Sequence, residues 1–184
     1  MSLEKIRESL TSKINPILSN NNETKLSSVL IIIFQDSPKI LMIKKPVTMK
    51  HHGGEIAFPG GKISNEDKDL LDTAIRETRE ETGIIVKRED VIGQLQPVTT
   101  LNSGFTILPF ICVLDEVKNL TPNSEVDEFL QIPLMPFLQT LADDSDPKHN
   151  SIQEMYAFRF EKQLIWGASA RMLKQITIKL KINE

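Results

Sequence analysis

Three glutamates, Glu77, Glu80 and Glu81, follow Arg76 within one short stretch. On a helix Glu77 and Glu81 lie one turn apart on the same side. Glu80, three residues from Glu77, extends that acidic edge. Like charges at this spacing repel and weaken a helix. A hard divalent cation removes the penalty, because Mg²⁺ takes carboxylate oxygens and keeps several waters for a phosphate ligand. A solvated acidic face would carry the same letters, so the glutamates alone do not decide. The preceding loop tips the balance. Phe58-Pro59-Gly60-Gly61 leads towards the acidic stretch, and glycines let backbone approach a ligand closely. The Gly60 carbonyl is a candidate further oxygen ligand.

The stretch resembles the Nudix box, a glycine followed by Arg-Glu-x-x-Glu-Glu-x-Gly and an apolar residue. Gly61, Arg76, Glu77, Glu80, Glu81, Gly83 and Ile84 stand at its fixed positions. It departs in two places. One extra residue lies between Gly61 and Arg76, which leaves Glu66 or Asp67 as the lone upstream acid. Thr78 replaces the usual aliphatic residue. Both departures suit the coenzyme A pyrophosphatase-like branch. A second pattern of that branch precedes the box: Leu-Leu-Thr-x-Arg-Ser or Ala, then Arg, Gly and Phe-Pro-Gly-Gly at three-residue intervals. The spacing is kept from Leu41 through Lys50 and Gly54 to the Phe58 loop. Ile43 stands for Thr, Lys45 for Arg, Pro46 for the small residue and Lys50 for Arg. Lysine keeps the charge and loses the fork that suits phosphate. Ser103-Gly104-Phe105, Pro109, Glu125-Val126 and the run from Trp166 to Arg171 extend the resemblance across residues 41–173.

The resemblance implies an α/β protein, a Nudix-type α/β/α sandwich with a mixed curved sheet, as one domain over residues 1–184. It implies metal-dependent hydrolysis of a diphosphate bond, with Mg²⁺ or Mn²⁺ as cofactor. Coenzyme A or acyl-CoA would give 3′,5′-ADP and an (acyl-)4′-phosphopantetheine. Glu77 and Glu81 are the expected principal ligands, with Glu80 a ligand or the general base. Arg76 is expected to orient the glutamates. Lys50 and Lys45 are assigned to phosphates of the adenosine half, with Phe58 and Gly61 beside the substrate. Glu125 belongs either near the metal or at a helix N-terminus, where an acid is favourable. Trp166 is assigned to the core in preference to stacking on adenine. ADP-ribose or another nucleotide is the alternative substrate class. A non-catalytic nucleotide-binding module is disfavoured, because a binder has no need of three mutually repelling carboxylates.

The elements that must hold these residues are legible in outline. Asp67, Asp69 or Asp72 suits the start of the acidic helix, and Gly83 its end. Leu71, Ile75, Thr78 and Thr82 form a stripe for packing on a sheet. Leu3, Ile6, Leu10 and Ile14 predict a helix over residues 2–15, ended by Pro16. Residues 26–34 and 39–45 read as a hairpin of strands, and 84–86, 91–95, 105–114 and 152–160 as further strands. Pro109 places 105–114 at an edge or bulge. Residues 121–128 read as a turn starting a short helix, and 135–141 as a helical turn. Residues 176–182 alternate like a strand but follow a helix.

Composition excludes some classes. The net charge of −3 gives no electrostatic footprint for nucleic acid. The single cysteine, Cys112, sits in an apolar run and reads as a core residue. His51, His52 and His149 have no cysteines at zinc-site spacing. No apolar run approaches a membrane span, and the N-terminus lacks the apolar centre of a signal peptide. A cytoplasmic monomer or homodimer acting on a small nucleotide is the expectation.

Overall fold

The computed structural model describes residues 1–18, 25–49, 53–100, 103–144, 146 and 155–182. Its centre is a parallel pair, β1 (Lys25–Phe34) and β7 (Phe105–Leu114), in register from Lys25↔Phe105 to Phe34↔Leu114. Both strands are almost continuously apolar, as strands covered on two faces are. With β7 on one edge of β1, the other edge is shared. β2 (Lys39–Lys44) pairs antiparallel with β1 only at Ile33↔Ile40 and Phe34↔Lys39. The two strands then part, and residues 56–62 enter the opening. There β3 (Ile56–Ala57) pairs with the end of β2. β4 (Gly60–Lys62) lies along Ser27, Ser28 and Val29 of β1. β5 (Val91–Gln94) and β6 (Val98–Thr99) run antiparallel to β7.

Side-chain alternation along the strands makes two cores. Ile31 and Ile33 of β1 pack with the first helix, α1 (Leu3–Leu10), and with α3 (Leu134–Leu138) and α4 (Gly167–Lys179). Leu30, Ile32 and Phe34 face the other way, onto Leu70, Leu71 and Ala74 of α2 (Leu70–Thr82). Helices on both faces of a mixed sheet give the expected α/β/α sandwich. β8 (Glu128–Pro133) extends the sheet beyond β2. A smaller sheet holds β9 (Ala142–Asp143), β10 (Tyr156–Phe160) and β11 (Gln163–Ile165). Among the described residues no helix is long and apolar enough to cross a membrane.

Several local expectations are corrected. The first helix stops at Leu10, six residues before Pro16. Thr11 turns extended, and the next residues are captured by β5: Ser12 N–H donates to the Ile92 carbonyl at 3.1 Å, and Asn15 N–H to Gln94 Oε1 at 2.7 Å. Residues 84–86 form no strand. Residues 121–127 turn into β8 rather than a helix, with Asp127 N–H bonded to the Lys44 carbonyl at 2.9 Å. Residues 176–179 complete α4. Strand 105–114 is central, not an edge. Its Pro109 carbonyl accepts from Leu95 N–H at 2.9 Å, just past the end of β5. The missing N–H of the proline therefore falls where β5 has ended and β6 has not begun. The 152–160 strand is seen as β10, and residues 152–154 lie outside the described residues.

Candidate active site

The opening between β1 and β2 and the start of α2 create the site. Asp69 caps the helix, accepting from the N–H groups of Leu71 and Asp72 at 2.9 Å each. Burial opposes ionisation of Asp69, but hydrogen bonds from Arg88 and the cap amides outweigh it and lower its pKa. Gly83 ends the helix in the left-handed region at φ 76°, donating to the Arg79 carbonyl at 2.9 Å. Leu71, Thr78 and Thr82 of the predicted stripe are buried, and Ile75 is half-buried.

The Phe58 loop is held in the opening by β1: Leu30 N–H donates to the Pro59 carbonyl at 2.9 Å. At Gly60 a β-carbon would sit 2.2 Å from the Ser28 carbonyl oxygen, so only glycine fits. At Gly61 a β-carbon would sit 2.4 Å from the Glu77 carboxyl carbon. The Glu77 carboxylate lies directly over that bare backbone. Phe58 itself is 2% exposed and belongs to the core. Its assignment beside the substrate is thereby corrected: the loop presents backbone, while its aromatic ring anchors it.

Arg76 is the hub of the acidic helix. Its Nε and Nη2 grip Asp67 at 2.9 Å each, and its Nη1 donates to Glu77 Oε1 at 2.7 Å. Nη1 also lies 3.5 Å from Glu80, and Nη2 donates to the Lys62 carbonyl at 3.3 Å. Asp67 further accepts from Ser64 N–H and the Thr73 hydroxyl, at 2.9 Å each. Asp67, rather than Glu66, is thus the upstream acid. The Arg76 guanidinium holds its carboxyl well below the usual carboxylate range, and Asp67 in return raises the Arg76 pKa.

Glu81 differs from its neighbours. Its side chain is 2% exposed, while those of Glu77 and Glu80 are 20% and 49% exposed. Gly60 N–H donates to its Oε2 at 2.8 Å, and Lys45 Nζ stands 3.8 Å from its Oε1. Burial pushes the Glu81 pKa up to about 7, against the pull of the Gly60 amide and the Lys45 charge. The charges of Glu77 and Glu125 add to the rise. Glu125 lies in a turn, not at a helix N-terminus. Lys45 faces the buried glutamate. Lys50 lies outside the described residues, as do His51, His52 and His149. Trp166 precedes α4 and is half-buried, so it is not the core residue expected.

Among the described residues no three acidic, histidine or cysteine side chains stand around one point as a finished metal site. Glu77 is tied to Arg76, and Glu81 to Gly60 and Lys45. The donor chemistry still fits a hard cation. It consists of carboxylate oxygens on consecutive turns of one helix, one of them buried, beside a loop with no side chain in the way. The spacing of the glutamates predicted their place on consecutive turns of one helix. Nothing in the sequence announced Lys45 against Glu81, because that contact depends on where β2 ends.

Fold and site together define a sandwich protein with clustered carboxylates and bare backbone at an opening in its sheet. The NUDIX domain model matches residues 24–156, and the chain belongs to the Nudix family. It is 29% identical to the uncharacterized Nudix hydrolase NudL of Photorhabdus laumondii over 170 residues, 90% of this chain and 89% of that one. It is 31% identical to that of Yersinia enterocolitica over 160 residues, 85% and 82% of the two chains. Among solved structures, a MutT/nudix family protein from Enterococcus faecalis superposes with a TM-score of 0.63 at 14% identity. That match covers 90% of this chain and 65% of the other, and it shows likeness of fold alone.

Proposed function

We propose that this Nudix hydrolase is a metal-dependent diphosphatase of nucleoside diphosphate-linked substrates. Coenzyme A or acyl-CoA is the preferred class, cut to 3′,5′-ADP and (acyl-)4′-phosphopantetheine. The observation that carries the reading is Glu81, a carboxylate buried to 2% exposure and hung on the amide of the glycine loop. Burying an ionisable acid is costly, and a cation ligand is a use that offsets the cost.

Glu77 and Glu81 would hold Mg²⁺ or Mn²⁺, joined by Glu80 and the Gly60 carbonyl. When bound, such a cation neutralises phosphate oxygens and acidifies an attacking water. The chain's own contribution is positioning. Arg76 fixes Glu77 over Gly61 and is itself fixed by Asp67. Gly60 N–H sets the orientation of Glu81. Glu80, half exposed, is a further ligand or receives the proton of the water. Gly61 lets the diphosphate approach the backbone, and Lys45 and Lys50 supply charge for the phosphates. In-line displacement at phosphorus then depends mainly on alignment and charge neutralisation.

ADP-ribose or another nucleotide is the second reading, kept by the departures at Ile43, Pro46 and Lys50. Of these, Ile43 drops out of the choice, since that side chain is fully buried in β2. The deciding experiment incubates the protein with coenzyme A and with ADP-ribose, each with Mg²⁺ and Mn²⁺, and identifies products. Glu81→Gln is expected to abolish metal-dependent release of 3′,5′-ADP while keeping the wild-type circular dichroism spectrum. Full activity in that variant contradicts the assignment.

A further inference from the structure

We infer that the Lys45 ammonium is a built-in stand-in for the divalent cation: it neutralises buried Glu81 in the metal-free protein and has to leave when the ion arrives. The inference rests on the reading of Glu81 as a metal ligand. Three observations support it. Glu81 is 2% exposed, so its charge has almost no water to rely on, and the Lys45 side chain is itself only 17% exposed. The Nζ stands at 3.8 Å from Oε1, the oxygen that the Gly60 amide does not use. A divalent ion seeking that oxygen meets a positive charge already facing it, and two cations sharing one carboxylate repel.

The backbone allows the exchange. Lys45 N–H donates to the Glu55 carbonyl at 2.9 Å, and Gly54 N–H donates to the Lys45 carbonyl at 3.0 Å. The main chain is therefore fixed at the mouth of the opening, while the four-carbon stem can carry the head outwards. Neighbouring Lys44 points elsewhere and reaches Glu128 at 3.9 Å on the surface. Departure of the ammonium frees one positive charge beside the site at the moment the ion is in place. Cation binding and phosphate binding are then coupled, and the coupling is reciprocal.

The test uses the full chain at about pH 8, where exposed carboxylates are ionised. Mn²⁺ affinity is measured from the paramagnetic resonance of free Mn²⁺ for wild type, Lys45→Met, Lys44→Met and Glu81→Gln. Lys45→Met is expected to bind on the order of tenfold tighter than wild type. Lys44→Met removes an adjacent charge without touching Glu81 and is expected to change affinity much less. Equal effects of the two lysine variants, or no gain in Lys45→Met, overturn the inference. A second readout is acetylation of Lys45 in the wild type, followed by mass spectrometry. Labelling is expected to rise when Mn²⁺ is added, and unchanged or reduced labelling overturns the idea. Equal Mn²⁺ affinity of wild type and Glu81→Gln instead removes the metal-site reading itself, which separates the two failures.

Discussion

At the scale of single residues, Glu81 and Thr78 make opposite demands on the same helix. The raised pKa of Glu81, about 7, means that the folded protein holds its proton where an unfolded glutamate has lost it. The stability this contributes is complete below the unfolded value near 4.5 and disappears as pH rises through 7. The metal-free protein should therefore lose roughly 3 kcal/mol of stability across that interval, at 1.36 kcal/mol per pH unit. Urea unfolding in EDTA at several pH values measures the slope, which Glu81→Gln should remove. Thr78 is fully buried, and its hydroxyl has no hydrogen-bond partner among the described residues. Thr78→Val keeps the shape and removes the orphan, so it should stabilise the protein by about 1 kcal/mol. A fall in urea midpoint for that variant would contradict the geometry. The oddity of Thr78 in the acidic motif was visible in the letters. Its lack of a partner was not, because Thr hydroxyls in helices commonly bond the preceding turn, as Thr82 does to the Thr78 carbonyl at 2.6 Å.

At the scale of elements, α2 and its loop behave as one fastened unit. Asp67 accepts hydrogen bonds from Arg76, Ser64 and Thr73, and through Arg76 it governs Glu77. Asp67→Asn should cost roughly 2–3 kcal/mol, the scale of hydrogen bonds to a charged partner. Activity should fall along with it, because Glu77 would lose its fixed neighbour. A variant with unchanged urea midpoint and unchanged kcat/KM would show that the Asp67 clamp is dispensable. Much of this unit was readable beforehand. Asp69 and Gly83 sit where capping chemistry requires them, and the glutamates keep their helical spacing. Other elements were misread for a common reason. The apolar period that runs to Ile14 cannot report that β5 offers the Ile92 carbonyl to Ser12 and the Gln94 side chain to Asn15. The acidic turn of residues 121–128 reads as the start of a helix, but the end of β2 takes the Asp127 amide. Tertiary hydrogen bonding overrode local preference in both places.

At the scale of the molecule, the sheet joins two cores through β1 and β7. Cys112 is fully buried in β7, with Ile32 beside it on β1, and burial pushes its thiol pKa up to about 12. The thiol should thus react with an aromatic disulfide reagent only when the central strands separate. Its labelling rate should match global unfolding rather than any local opening. Rapid labelling under native conditions would show that the centre of the sheet opens separately. The layered arrangement was legible through the resemblance to the Nudix family, and the continuous apolar run of residues 29–34 marked only a central strand. The shared edge of β1 was not legible, since no residue marks where β2 leaves and β4 takes over.

The two backbone hydrogen bonds at Lys45, to Glu55 and from Gly54, bring together the two ends of the segment that joins β2 to β3. A stretch whose ends already meet is an exchangeable cassette. Substituting another segment of similar length there changes loop-closure entropy little and leaves the sheet pairings of β2 and β3 untouched. On the proposed function, a chimera that rewrites that insert should change the choice between coenzyme A and ADP-ribose and spare hydrolysis itself, which a substrate panel measures.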